Sequence, residues 1–168
     1  MNNYPYQKLL FFIVLVITIL YWGTAKSEVY EPKNHAFDCL AQNIYFEARS
    51  ESQAGMIAVA QVTMNRVKHP RYPNTVCEVV KQGPTYTWAE HFPVRNKCQF
   101  SWFCDGKSDD PKDSKTWIAS VQVANNFMMA PTWDLTEGAL WYHADYIYPY
   151  WAQHLNETVT INNHIFYR

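Results

Sequence analysis

The chain has 168 residues, 48% of them hydrophobic and 17% charged, with a formal net charge of -1. That length suits one domain with a sizeable core, and the near-neutral balance excludes both the basic footprint of a nucleic-acid binder and an acidic tail. Aromatic residues reach 17%, with 7 Trp and 12 Tyr; a core and aromatic strands absorb most of them, and the rest suit a groove where ring faces stack on sugars.

In chain order, the first feature is an export signal. One basic residue, Lys8, precedes an uninterrupted apolar run from Leu9 to Trp22. Gly23 and Ala25 are small residues two apart, the pattern a signal peptidase accepts, which places cleavage after Ala25. The run is shorter than the roughly 20 residues that span a bilayer, but Thr24 and Ala25 extend it, so an uncleaved anchor with membrane contact through residues 9–22 is the alternative. Residues 1–25 are thus read as signal peptide or membrane anchor, 26–37 as a polar lead-in and 38–168 as the domain. Either reading puts the domain outside the cytoplasm, in the periplasm, the envelope or the extracellular space.

The first predicted helix starts near Asp38, a good N-cap residue. Leu40, Ile44 and Ala48 mark its apolar stripe, with Ala41 and Tyr45 beside it. Ser50 and Gln53 have the spacing of a capping box for a second helix, Ser52 to Lys68, which His69 and Pro70 stop. "TVCEVVKQ" reads as a short helical turn ending at Gly83. Residues 84–112 are broken by Pro84, Pro93, Gly106 and Pro111, and "CQFSWFC" within them alternates like a short strand. Irregular segments of that length inside a domain are often functional. A third long helix, "SKTWIASVQVANNFMM", has Asp113 as its cap, Trp117, Val121, Ala124 and Met128 in register, and Pro131 at its end. "ALWYH" is a strand, and "TVTINNHIFY" a hairpin turning at Asn-Asn. The expected fold is α+β, three main helices followed by a small antiparallel sheet.

Four cysteines, Cys39, Cys77, Cys98 and Cys104, in an exported chain suggest disulfides. They allow three pairings; Cys98 and Cys104 flank a short loop that its own bridge would close, leaving Cys39 for Cys77. No C-x-x-C or H-E-x-x-H spacing marks a zinc site, and no metal or other cofactor is expected.

Glu47 is the first candidate for chemistry. It falls three residues after Ile44 and seven after Leu40, beside the apolar stripe. The plain reading is a rim charge paired with Arg49 or Arg66. The functional reading is an acid whose burial keeps it protonated near neutral pH, ready to donate to a leaving oxygen. A hydrolytic glycosidase needs a second carboxylate, and none of Glu90, Asp105, Asp134 or Asp145 is singled out by spacing. His143 and His164 lie on candidate strands and, if they point to one side, could share a metal or a substrate. Gln99 and Ser101 offer hydrogen bonds and Trp102 a stacking face.

Taken together, the blocks "NIYFEAR", "AVAQVTMNRV", "YPNTVCEVV", "CQFSWFCDG", "ALWYHADYIYPYWA" and "INNHIFYR" resemble, in order, those of the SleB-type cell wall hydrolases, the family of the spore-cortex lytic enzymes. The resemblance covers about residues 38–168. It departs at Ser50, where glycine is common, and at Trp141, where tyrosine is common. It implies a lysozyme-like or lytic-transglycosylase-like domain acting on peptidoglycan glycan strands between N-acetylmuramic acid and N-acetylglucosamine, with Glu47 as catalytic acid. Tyr45, Gln99, Ser101, Trp102, Tyr142, His143 and His164 are the expected groove residues, and the protein is expected to act as a monomer. The competing readings are a metal-dependent amidase or peptidase built on His143 and His164, a non-catalytic glycan-binding module, and a stapled structural protein of an envelope or virion.

Overall fold

The computed structural model describes residues 35–130 and 133–168. The expected signal or anchor, the lead-in up to residue 34, and Pro131 lie outside the described residues. Helix α1 spans His35–Ala48, three residues earlier than its Asp38 cap was expected. Helix α2 spans Gln53–Lys68, α3 Val76–Val80 and α4 Ser114–Met129. Strands β1 (Thr85–Tyr86) and β2 (Ala89–Pro93) pair within the middle segment. Strands β3 (Trp141–Ala144), β4 (Glu157–Ile161) and β5 (His164–Tyr167) form a three-stranded antiparallel sheet in the order β3-β5-β4. The α+β expectation holds, with a small β1-β2 ribbon added where no strand was foreseen.

Helix α1 is the central element. Leu40, Ala41 and Ile44 are fully buried, and Ala48 and Tyr45 nearly so, which confirms the predicted stripe. Each fully buried Leu or Ile contributes about 1.5–3 kcal/mol of transfer free energy. Val59 and Ala60 of α2, Val79 and Val80 of α3, and Val123, Ala124 and Phe127 of α4 close over that stripe. The Cys39–Cys77 disulfide ties α1 to α3, and Cys98–Cys104 closes the six-residue loop.

Three local expectations are corrected. Ser50 does not cap α2: the N-cap is Ser52, whose side chain makes no capping bond and instead donates to Asn162 Oδ1 at 2.7 Å. "SWFC" is a 3-10 helix, Ser101–Cys104, because the Cys98–Cys104 bridge closes too short a loop for an extended strand. On α4, capped as expected by Asp113, the buried stripe is Ser120, Val123, Ala124 and Phe127; Trp117, Val121 and Met128 flank it and are only partly buried.

Candidate active site

Glu47 is the penultimate residue of α1, so the partial negative charge of the helix C-terminus opposes its ionisation. Phe46, its neighbour, stacks on Trp102 at 4.7 Å and meets the edge of Tyr45 at 5.0 Å. Trp102 is in turn fixed by a buried ladder. Its Nε1 donates to Asn43 Oδ1 at 3.0 Å, Asn43 Nδ2 donates to Thr63 Oγ1 at 3.1 Å, and the Thr63 hydroxyl donates to Val59 O at 3.0 Å. The backbone carrying Glu47 is therefore held from two other elements, the Ser101–Cys104 3-10 helix and α2. Part of the residue remains open to solvent, yet its carboxyl is desolvated, and that burial raises its pKa above the ordinary value. Two effects oppose the rise. The Tyr142 hydroxyl donates to Glu47 Oε2 at 2.9 Å, and Arg66 acts through its field.

Arg66 is not an ion-pair partner of Glu47. It is buried, its Nε donates to Leu140 O at 2.8 Å, and its guanidinium lies 5.0 Å from the Phe100 ring and 5.4 Å from Tyr72. Arg49 is exposed and lies over the Tyr45 ring. The plain rim-pair reading therefore fails for both arginines.

The cleft at Glu47 has a volume of about 320 Å³; its walls include Glu51, Asn163, His164 and Tyr146. A neighbouring depression of about 500 Å³ shares Phe46 and Arg49 with it and adds Tyr45, Trp102 and the charged loop from Asp105 to Asp113. The two adjoin at Phe46 and Arg49, past the end of α1.

The sheet register decides what reaches the cleft. Tyr142 pairs with Phe166 and Ala144 with His164, while His143 pairs with Ile165. Side chains alternate along a strand, so Tyr142 and His164 share one face and His143 is on the other. His164 lines the cleft, is 8% exposed, and its Nδ1 is buried with no hydrogen-bond partner. Burial lowers its pKa and favours the neutral imidazole. His143 is stacked on Tyr167 at 5.2 Å, with Nε2 3.0 Å from the Tyr167 hydroxyl. The expectation that the two histidines could point to one side is overturned. Among the described residues no group of three or more His, Cys, Asp or Glu is placed to hold a metal.

The other expected groove residues divide. Tyr45 is buried and its hydroxyl accepts from the backbone N–H groups of Lys112 and Asp113, both at 3.1 Å. Trp102 floors the second depression. Gln99 and Ser101 are exposed and line neither hollow. Of the four carboxylates weighed as partners, Glu90 is exposed, Asp145 follows β3, and Asp105 engages Lys107. Asp134 is consumed by a turn: burial works to raise its pKa, but hydrogen bonds from Thr136, Asn65 and Gly138 outweigh it and the net shift is downward.

The carboxylate that does share the cleft is Glu51, which spacing did not reveal. Its Oε1 accepts from Asn163 Nδ2 at 3.2 Å and its Oε2 from Asn163 N at 3.3 Å. With the Ser52–Asn162 bond, this latches the β4-β5 turn onto the α1-α2 turn.

A model of the cell wall hydrolase family matches residues 50–167, most of the chain. The protein belongs to the cell wall hydrolase family. Glu47 stands just ahead of the matched span. The chain is 39% identical over 54 residues to a spore cortex-lytic enzyme of Bacillus subtilis (strain 168), covering 32% of this chain and 18% of that protein. A spore cortex-lytic enzyme of Halalkalibacterium halodurans is 40% identical over 48 residues, 29% of this chain and 14% of that one. The matched stretch is thus less than a fifth of either relative. Among solved structures, the catalytic domain of the Bacillus cereus SleB protein aligns with TM-score 0.55 and 27% identity over 79% of this chain and 89% of that chain. The catalytic domain of the germination-specific lytic transglycosylase SleB from Bacillus anthracis aligns with TM-score 0.57 and 26% identity over 83% of this chain and 98% of that chain. The chain therefore has the fold of the SleB catalytic domains.

Proposed function

We propose that the domain is a peptidoglycan lytic transglycosylase with Glu47 as its single general acid and base. The observation that carries the reading is the desolvated carboxyl of Glu47, its pKa raised, lining a cleft and hydrogen-bonded by the Tyr142 hydroxyl. The protonated acid gives its proton to the glycosidic oxygen between N-acetylmuramic acid and N-acetylglucosamine as the C1–O bond breaks. The resulting carboxylate takes the proton of the muramic C6 hydroxyl as that oxygen bonds to C1. The products are a free 4-hydroxyl and a 1,6-anhydro end, with no water consumed. The substrate's own N-acetyl group stabilises the charge that develops at C1.

That route needs one carboxyl group, which suits a cleft whose other acid, Glu51, has both oxygens engaged by Asn163. In this reading Tyr142 positions the acid, and His164 is part of the wall against which the sugar rests. The opposed facing of His143 and His164 counts against an amidase built on that pair. The reading also places the domain outside the cytoplasm, carried there by the apolar run at residues 9–22.

Glu47→Gln keeps the shape and the Tyr142 contact but removes the proton. It is expected to slow release of soluble fragments from purified sacculi by about a hundredfold or more. Mass spectrometry of the wild-type products should find ends one water lighter than those of hydrolysis. Wild-type rates from Glu47→Gln, or reducing ends throughout, would refute the mechanism.

A further inference from the structure

The hollow of about 500 Å³ beside the Glu47 cleft is the larger of the two and takes no part in the proton transfers assigned to Glu47. Its size lies within the roughly 300–1,000 Å³ of small-ligand sites. Three cations line it, Arg49, Lys107 and Lys112, against three carboxylates, Asp105, Asp110 and Asp113.

These charges are not equally available. Lys107 Nζ lies 3.4 Å from Asp105 Oδ2, so that pair satisfies itself. Asp113 is committed to capping α4, accepting from Thr116 N at 2.8 Å. Arg49, Lys112 and Asp110 make no ion pair among the described residues. Arg49 lies over the Tyr45 ring, 5.3 Å from its centroid, and Asp110 Oδ2 accepts from the Ser108 hydroxyl at 2.9 Å. The hollow thus offers a ligand two cations and one carboxylate.

The wall that presents them is ordered. The Tyr45 hydroxyl accepts from Lys112 N and Asp113 N, both at 3.1 Å, and Arg95 Nε donates to Asp105 O at 3.2 Å, so the charged loop is tied at both ends. Trp102, beneath it, is fixed by its bond to Asn43. A wall ordered in advance lowers the entropy lost on binding.

Charge and position narrow the ligand. A neutral hexosamine gives the unpaired cations nothing to neutralise. A polyanion would meet three carboxylates along with its three cations. The complement is a small ligand bearing both signs, with carboxylates in excess. The substrate carries one as a branch: the lactyl group of muramic acid bears a short stem peptide, whose carboxylates outnumber its amino groups when it is not amidated. With muramic acid at Glu47 this branch must leave the cleft, and the hollow opens from it at Phe46 and Arg49.

We propose that this hollow binds the stem peptide, Arg49 and Lys112 taking its carboxylates and Asp110 its amino group. The proposal rests on the reading of the cleft as the cutting site, and it makes the domain selective for muramic acid that carries a peptide.

The test measures equilibrium binding by the full chain carrying Glu47→Gln to glycan strands of one length, either bearing their stems or stripped of them by an amidase. The parent should bind the stem-bearing strands about tenfold more tightly, and added salt should shrink that margin. Lys112→Glu reverses one exposed charge and keeps the backbone N–H that Tyr45 needs. It should weaken binding of stem-bearing strands about fivefold or more and leave stripped strands within about twofold, while Lys112→Arg restores the margin. Arg49 lines both hollows and is left intact for that reason. Equal affinity of the parent for the two kinds of strand overturns the proposal, as does an equal loss, or no loss, on both in Lys112→Glu. A margin that behaves as expected, in a protein whose wild type cuts neither strand, would sink the cutting-site reading and leave the peptide site standing.

Discussion

At the scale of single residues, Glu47 is a balance between burial, which raises its pKa, and two groups that restrain the rise. Tyr142 is the nearer of the two. Burial and the adjacent carboxyl push its own pKa well above the ordinary value, so its hydroxyl stays protonated and donates at every working pH. A hydrogen bond given to a carboxylate favours the ionised form. Removing it with Tyr142→Phe therefore moves the Glu47 pKa further up, and the protonated acid persists to higher pH. The expected outcome is an alkaline limb of the pH–rate profile shifted to higher pH, together with a fall in kcat of roughly tenfold because the carboxyl loses the bond that aims it. A role confined to packing would lower the rate without moving the limb, so a limb that stays or moves down counts against this account.

At the scale of elements, the cleft exists because two turns meet. Gly55, one turn into α2, allows the approach: a Cβ there would lie 2.7 Å from Glu51 Cβ and 2.9 Å from Asn162 Oδ1. Asn162 takes the left-handed backbone that starts the tight turn, with φ 51°. Gly55→Ala usually helps a helix by about 1 kcal/mol. Here it is expected to destabilise, and to slow sacculus digestion by several-fold at temperatures where the variant is folded, because the hairpin carrying His164 must move off Glu51. Thermal melts beside activity assays separate the two effects, and an Ala variant more stable than wild type would defeat the argument. Much at this scale was legible in the sequence. The α1 stripe, the Asp113 cap and the Asn-Asn hairpin each follow from local period or local chemistry. Glu51 and the opposed histidines were not legible, for one reason. Which acid enters the cleft is set by a contact between residues 51 and 163, and which histidine faces Glu47 is set by the β3-β5 register. Neither leaves a trace in local spacing. The "SWFC" segment misled differently: its alternation is real, but a six-residue disulfide loop overrides it.

At the scale of the whole molecule, α1 must stay in place for Glu47 to be buried, and a covalent tie contributes to that. Cys39 is itself 5% exposed in the core, eight residues before Glu47, and its bridge to Cys77 closes a loop of 38 residues. The Cys98–Cys104 bridge closes only 6. If a bridge stabilises mainly by restricting the unfolded chain, the longer loop contributes more: about 4 kcal/mol for Cys39–Cys77 against about 2 kcal/mol for Cys98–Cys104. The ranking has a functional side. The short bridge fixes the loop beside Trp102 and Phe46, close to the groove, whereas the long one joins α1 to α3 on the core side. Replacing Cys39 and Cys77 with serine should therefore lower the urea midpoint more, while the fraction still folded keeps a near-normal rate. Replacing Cys98 and Cys104 should cost less stability but more activity per folded molecule. Urea titrations of the two double variants, read beside rates corrected for the folded fraction, test both halves at once. If the short-loop variant proves the less stable of the two, strain or packing rather than loop entropy governs these bridges; if it keeps full activity per folded molecule, the Trp102 wall does not need its staple.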